Sequence, residues 1–383
     1  MIRLPDPTTG FAVAGRVVTP DGVIEQGYLR VSGDRIAAVG TGTPPDAIRH
    51  GGWILPGFVD LHVHGGGGGS FPTADPDSAR VAAAYHRSHG TTTMLASLVS
   101  APRDMLVRAI RTLVPLVRDG VLAGIHLEGP YLAAERCGAH DPAFLRPPTP
   151  DELDTLLETG EGTVRMVTLA PELPGALPAI RQLVAAGVIA ALGHTDATYR
   201  QTMAAIDAGA TVGTHLFNGM RSLHHREPGP VGAMLGAASV TCELIADGGH
   251  VHDAALRLAF AAAGPSRLAL VTDAIAAAGR PDGEYDLGGR TVIVSAGVAR
   301  LAAGGALAGS TLTMDAALRH AVGATGSVVD AVRMASTTPA AALSMSSDAG
   351  ALRPGLRADL VLLDDNLHPV EVVSAGPATR GQR

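Results

Sequence analysis

Hydrophobic positions along the 383-residue chain follow two rhythms. From residue 11 to 40, short apolar segments alternate with turn residues. Phe11-Ala12-Val13-Ala14-Gly15-Arg16-Val17-Val18 runs into Thr19-Pro20-Asp21-Gly22, and Gly27-Tyr28-Leu29-Arg30-Val31 is parted from Arg35-Ile36-Ala37-Ala38-Val39 by Ser32-Gly33-Asp34. This predicts antiparallel strands with tight turns. Residues 358–363 and 370–373 have the same short-strand character, so the two chain ends are expected to meet in one small β domain.

Between the ends, strand-sized apolar runs at 58–64, 92–96, 121–127, 164–169, 188–193, 211–216, 241–246 and 268–272 alternate with helical segments. After Asp75-Pro76, the helical spacing of Val81, Ala84, Tyr85 and Ser88 stops at Gly90, with Asp as N-cap and Pro in the first turn. Leu106, Ala109, Ile110, Leu113, Leu116 and Val117 form an apolar stripe ending before Gly120. Thr149 and Glu152 have the spacing of a capping box, and further helices fit 176–187, 198–209 and 252–263. After a β-rich stretch at 284–300, the segments 310–323 and 327–336 read as closing helices. Eight strands alternating with helices predict an α/β fold: a (β/α)8 TIM-like barrel over residues 55–345, with a small β-sandwich domain built from both termini, 1–54 and 346–383. An open doubly wound sheet is the rival, but it places its ligand at one switch point rather than around a ring. The glycine run Gly65 to Gly69 reads as a mobile loop after the first barrel strand.

Polar residues decide for the ring. His62 and His64 lie two apart at the end of the first strand and therefore on one face, where two imidazoles can share a metal ion. Glu128 ends the third strand, His194 the fifth, His215 the sixth and Asp273 the eighth. A lone strand-end His or Asp is usually a packing or capping residue. Their joint placement on one predicted rim points to a metal site. Imidazole and carboxylate ligands suit a divalent ion, zinc first, with iron, manganese or cobalt as alternatives. Such an ion lowers the pKa of a water from 15.7 towards roughly 7, which points to hydrolysis, with Asp273 as the candidate general base.

Composition narrows the reading further. A net charge of -7 without any basic run argues against nucleic acid or an anionic membrane as partner. No apolar stretch approaches the roughly 20 residues that cross a bilayer, and Met1-Ile2-Arg3-Leu4-Pro5-Asp6 lacks the apolar core of a secretory leader. A cytoplasmic location is expected. The two cysteines, Cys137 and Cys242, make no disulfide framework; Cys137 reads as incidental in a glycine-flanked loop and Cys242 as core. All 29 basic residues are arginine, so no Walker, Schiff-base or carboxylated lysine exists.

Pro56-Gly57-Phe58-Val59-Asp60-Leu61-His62-Val63-His64, with the strand-end Glu, two later His and final Asp, resembles the amidohydrolase superfamily. More narrowly, His126-Leu127-Glu128-Gly129-Pro130-Tyr131, Gly193-His194-Thr195, Thr214-His215-Leu216-Phe217-Asn218-Gly219-Met220, Arg226-Glu227-Pro228-Gly229, Ala246-Asp247-Gly248-Gly249-His250-Val251, Val271-Thr272-Asp273-Ala274 and Leu307-Ala308-Gly309-Ser310 resemble, in collinear order, the N-acetylglucosamine-6-phosphate deacetylase family. Superfamily members such as dihydroorotase bridge two metals through a carboxylated lysine ending strand four. Here that end is Leu169-Ala170-Pro171-Glu172, and Glu128 can take the carboxylate role.

The resemblance implies that Glu128, His194 and His215 hold the main ion, that His62 and His64 allow a second, giving one or two per chain, and that Asp273 is the general base and acid. It also implies that Arg226, Asn218 and Gly219 meet a phosphate, that His250, Ala139, His140, Leu307, Ala308 and Gly309 meet the rest of an amino sugar phosphate, and that the chain forms a homodimer or larger homo-oligomer. The implied reaction hydrolyses the acetamide of N-acetyl-D-glucosamine 6-phosphate. A deacetylase for another N-acetylated sugar phosphate, such as N-acetylgalactosamine 6-phosphate, and a non-catalytic barrel binding protein stay open at this point.

Overall fold

A computed structural model describes residues 4, 5 and 10–375; most of the Met1–Asp6 segment lies outside these described residues. An 8-stranded parallel sheet runs in chain order from Phe58–Val63 through Thr91–Leu98, Gly124–Glu128, Val164–Leu169, Ile189–Leu192, Val212–Gly213 and Thr241–Leu244 to Leu268–Leu270. Helices cover its outer face, so the strands are apolar on both sides; every residue of Phe58–Val63 is buried. The first and last strands close the barrel just beyond the final ladder. Asp273 N–H donates to His62 O at 2.8 Å and His64 N–H to Ala274 O at 2.8 Å. Beneath them, Asp60 accepts from Thr272 Oγ1 at 2.6 Å.

The helix starts follow the expected chemistry. Asp75 caps Pro76–Ser88 by accepting from Asp77 N–H, and Thr149 caps Pro150–Gly160 by accepting from Glu152 N–H. One helix, Gly229–Gly236, was not expected from the sequence. Three glycines in eight residues give it weak intrinsic propensity, and the burial of Val231, Met234 and Leu235 against the barrel stabilises it instead. Residues 283–301 form a three-stranded antiparallel sheet, as the β-rich pattern suggested. Its Leu287, Val292 and Leu301 pack with Val99, Ile275 and Ala308 beside the barrel mouth.

The termini meet as expected, in a separate 6-stranded sheet ordered Pro369–Val373, Leu360–Leu363, Ile48–Pro56, Phe11–Thr19, Gly22–Ser32, Arg35–Thr41. The sheet curls back on itself. Ile36 N–H donates to Leu356 O at 2.9 Å and Ala358 N–H to Asp34 O at 2.8 Å, which brings the far edge against the segment entering Leu360–Leu363. The enclosed core holds Val13, Leu29, Ile36, Ile54, Leu360 and Leu362. Strand Ile48–Pro56 lies near the centre of this sheet, yet Arg49, His50, Gly51 and Gly52 break its apolar pattern and hide it in the sequence.

The glycine run differs from expectation. Gly65–Gly66 pairs with Gly69–Ser70 in a buried hairpin rather than a mobile loop. A Cβ on Gly69 would stand 2.2 Å from Ser78 O, and one on Gly66 would stand 2.6 Å from His86 Nε2. Close approach to helix Pro76–Ser88 therefore selects glycine here.

His86, fully buried on that helix, donates from Nε2 to Gly65 O at 2.9 Å. Burial pushes its imidazole down to about 4. The unfolded chain, titrating near the ordinary 6.5, takes up a proton that the folded protein refuses. Stability is therefore expected to fall as pH drops from about 6.5 towards 4, by up to about 3 kcal/mol from this group. Urea midpoints measured across that window should fall less steeply in His86→Gln than in the parent, and an identical slope would remove His86 as the source.

Candidate active site

Six side chains meet at the C-terminal mouth of the barrel: His62, His64, Glu128, His194, His215 and Asp273, all buried. Their backbones explain how polar groups end so many apolar strands. His194, His215 and Asp273 stand just past their ladders with φ of 47°, 28° and 49°. Non-glycine residues rarely adopt this left-handed region, and its cost of order 1–3 kcal/mol is tolerated where the surroundings fix the turn. Each turn aims its side chain back over the barrel axis.

The imidazole tautomers follow from partners that can only accept. His62 Nδ1–H donates to the Glu243 carboxylate at 3.2 Å, and His64 Nδ1–H to Ser97 O at 3.1 Å. His194 Nδ1–H donates to Arg136 O at 2.7 Å, and His215 Nδ1–H to Asn218 O at 3.2 Å. In their neutral forms all four rings therefore present Nε2 lone pairs to the centre. They do so in two pairs, His62 with His64 at 3.1 Å and His194 with His215 at 3.1 Å. Glu128 joins both. Its Oε1 lies 3.0 Å from His194 Nε2 and 3.0 Å from His215 Nε2, and its Oε2 lies 3.1 Å from His64 Nε2. Asp273 Oδ1 stands 3.2 Å from His64 Nε2.

Facing lone pairs at such distances need a positive centre between them, so the donor set fits divalent cations. Ligand atoms within 4.8 Å of one another include the sets His62, His64, Asp273 and His62, Glu128, His215. A third set, Glu128, His140, His194, meets the same distance, but its hydrogen bonds argue otherwise. His140 Nδ1 accepts from Ser100 N–H at 3.1 Å, which leaves the proton on Nε2, 3.2 Å from Glu128 Oε2. His140 faces the site as a donor.

Electrostatics agree with a demand for positive charge. Burial would favour a neutral Glu128, yet His62 and His140 draw its carboxyl well below the usual range. Burial likewise opposes charge on Asp273, but His62 and His64 bring it down to about 2. Burial lowers His64, and the Asp273 and Glu128 carboxylates overcome this and raise it to about 9. For His140 burial wins, and its imidazole is pushed down to about 4, neutral at physiological pH.

A cavity of about 250 Å³ opens above this cluster. Of the residues expected at a substrate, Ala139, His140, Asn218, Gly219, His250, Leu307 and Gly309 line it; Ala308 is buried just behind. His250 is oriented by Asp247, which accepts from its Nδ1–H at 2.7 Å. Gly219 has φ of 60° and lies so close to the His194 ring that a Cβ would stand 2.9 Å from Nδ1. Arg226 is not brought to the cavity of its own chain. It is exposed, with Nη1 3.1 Å from His225 Nε2, and among the described residues no arginine lines the cavity.

Sequence reasoning missed Val99, Gly138 and Leu287, which also line the cavity, as well as Glu243 beneath it. Glu243 alone left a readable signal, an acidic residue inside the apolar run Val240-Thr241-Cys242-Glu243-Leu244-Ile245. Among the described residues, no helix is long and apolar enough to cross a membrane.

Comparison with known proteins agrees with this geometry. A model of the amidohydrolase family matches residues 53–379. The chain is 42% identical over 364 residues to an N-acetylgalactosamine-6-phosphate deacetylase of Escherichia coli O157:H7, covering 94% of this chain and 96% of that one. It is 35% identical over 379 residues to the N-acetylglucosamine-6-phosphate deacetylase of Bacillus subtilis, covering 94% of each. Among solved structures, an aspartate-to-alanine variant of the Mycobacterium smegmatis N-acetyl-D-glucosamine-6-phosphate deacetylase, in complex with N-acetyl-D-glucosamine-6-phosphate, superposes with a TM-score of 0.94 at 50% identity, covering 96% of this chain and 98% of that one. With a histidine-carboxylate cluster at the mouth of its barrel and full-length relatives of this kind, the chain belongs to the amidohydrolase family, within its N-acetylglucosamine-6-phosphate deacetylase group.

Proposed function

We propose that this enzyme hydrolyses the acetamide of N-acetyl-D-glucosamine 6-phosphate to D-glucosamine 6-phosphate and acetate. The observation that carries the reading is the convergence of four bare Nε2 atoms and the Glu128 and Asp273 carboxylates beneath a cavity of about 250 Å³. Glu128, His194 and His215 would hold the main divalent ion, zinc before iron, manganese or cobalt. His62 and His64, with the second oxygen of Glu128, would hold another. A bound ion supplies Lewis acidity towards the amide carbonyl and lowers the pKa of water.

The protein's own groups do the rest. Asp273, ionised across the physiological range, takes a proton from the attacking water and returns it to the sugar nitrogen as the C–N bond breaks. His140, held neutral with its proton on Nε2, donates to the acetyl oxygen or a sugar hydroxyl. His250 and the backbones of Ala139, Leu307, Ala308 and Gly309 orient the sugar, and Asn218 and the backbone of Gly219 meet its phosphate end. Arg226 lies away from its own cavity, and the reading places it at the phosphate of a neighbouring subunit's substrate, in a homodimer or larger assembly. Residues 55–345 form the catalytic unit in this reading, with 1–54 and 346–383 as the small β unit.

The similarity to an N-acetylgalactosamine-6-phosphate deacetylase supports a second reading, with the galacto epimer as substrate. Acetate release from each 6-phosphate, measured after chelation and after restoring individual metals, tests both. Restored turnover of the gluco substrate with the higher kcat/KM is expected. Higher kcat/KM for the galacto compound would favour the second reading, and no acetate from either with any metal would overturn both.

A further inference from the structure

The seventh barrel strand, Thr241–Leu244, carries Glu243 with its side chain at 0% exposure, directed under the cluster rather than into the cavity. Burying a carboxylate costs several kcal/mol unless it is paired and its oxygens are satisfied. Glu243 is only half satisfied. Its Oε2 accepts from His62 Nδ1–H at 3.2 Å and from His215 backbone N–H at 3.2 Å, while Oε1 has no hydrogen-bond partner. Among the described residues its ion pair is with His62.

Those two bonds reach both halves of the site. His62 Nε2 belongs to the pair with His64, and His215 Nε2 belongs to the pair with His194. The His215 backbone that Glu243 holds has a φ of 28°, so this bond fixes a turn that is costly by itself. On the His62 side the carboxylate sits behind the ring. It fixes the Nδ1–H tautomer and makes Nε2 a stronger electron donor, and a cation on Nε2 would in turn strengthen the Nδ1–H bond to the carboxylate.

We infer that Glu243 is a positioning residue that makes His62 a competent ligand of the second cation while holding His215 in place for the first. This rests on the two-ion reading above. Charge matters on the His62 side, whereas on the His215 side the carboxylate accepts a neutral backbone N–H. Neutralising Glu243 should therefore weaken the second ion selectively.

Glu243→Gln keeps the volume and removes the charge. Full-length protein and variant would be equilibrated with Zn²⁺ over a range of free concentrations, and bound zinc counted per chain. Two ions are expected in the parent. In the variant the first should be retained and the second bound about 10–100-fold more weakly. A merely structural role would lower thermal stability and weaken both ions together, so equal weakening, or unchanged affinity for both, overturns the inference. Should the glutamine variant fail to fold, Glu243→Asp, whose carboxylate is withdrawn from His62 by one methylene, reads the same ratio of affinities. A parent protein that binds a single ion would overturn the two-ion reading along with this one, an outcome distinguishable from a two-ion parent with an unaffected variant.

Discussion

Asp273→Asn is expected to lower kcat by about 10³-fold, roughly 4 kcal/mol of transition-state stabilisation, while fold and ion content stay close to those of the parent. The amide nearly matches the carboxylate in shape, and the backbone bonds that hold this turn, from Asp273 N–H to His62 O and from Ser310 N–H to Asp273 O at 2.8 Å each, do not involve the side chain. Proton transfer is what it loses. Held at about 2 by its histidine neighbours against the pull of burial, the parent carboxyl is ionised at neutral pH and free to accept a proton. Because that pKa is depressed, the carboxylate is the form present at neutral pH, as a base requires. Single-turnover acetate release with metal counted in the same sample checks the effect, and near-normal turnover would remove Asp273 from the role.

Glu128→Gln is expected to be as damaging by a different route. One carboxylate faces five imidazoles: Oε1 meets His194 and His215, and Oε2 meets His62, His64 and His140. An amide offers one acceptor and one donor where two anionic oxygens stood, so one of the histidine pairs confronts an N–H₂ group, and the negative charge shared by both positions is gone. Bound metal at a fixed free concentration should fall at least about tenfold, and kcat by about 10³-fold or more. Metal analysis by mass spectrometry decides it. Retention of two ions per chain would show that Glu128 does not join the positions.

Much of this site could be read in the sequence because its chemistry and its architecture repeat the same message. Histidine, glutamate and aspartate are costly inside apolar strands, so their recurrence at the ends of His62-Val63-His64, Leu127-Glu128, Gly193-His194, Thr214-His215 and Thr272-Asp273 marks a rim. The histidine tautomers could not be read, since they depend on carbonyls such as Arg136 O and Asn218 O that only the folded loops deliver. Arg226 shows a related limit: its motif is local, but its distance from the cavity is a property of the fold. Glycine is ambiguous by nature, because a missing side chain serves mobility and close packing equally well; Gly66 and Gly69 pack against His86 and Ser78. Helix Gly229–Gly236 and strand Ile48–Pro56 escaped for a common reason, tertiary burial overriding a weak or broken local pattern.

The sheet that joins the chain ends also imposes an order on synthesis. Strand Ile48–Pro56 is flanked by Phe11–Thr19 on one side and by Leu360–Leu363 on the other, with Ile54 opposite Leu362. The first neighbour leaves the ribosome early and the second only after the whole barrel. At about 5–20 residues per second, the nascent protein carries an unpaired strand edge for tens of seconds. Such an edge is a template for any other extended chain nearby. The barrel must therefore mature beside a half-built sheet, and the last strands added shield the edge left open by the first.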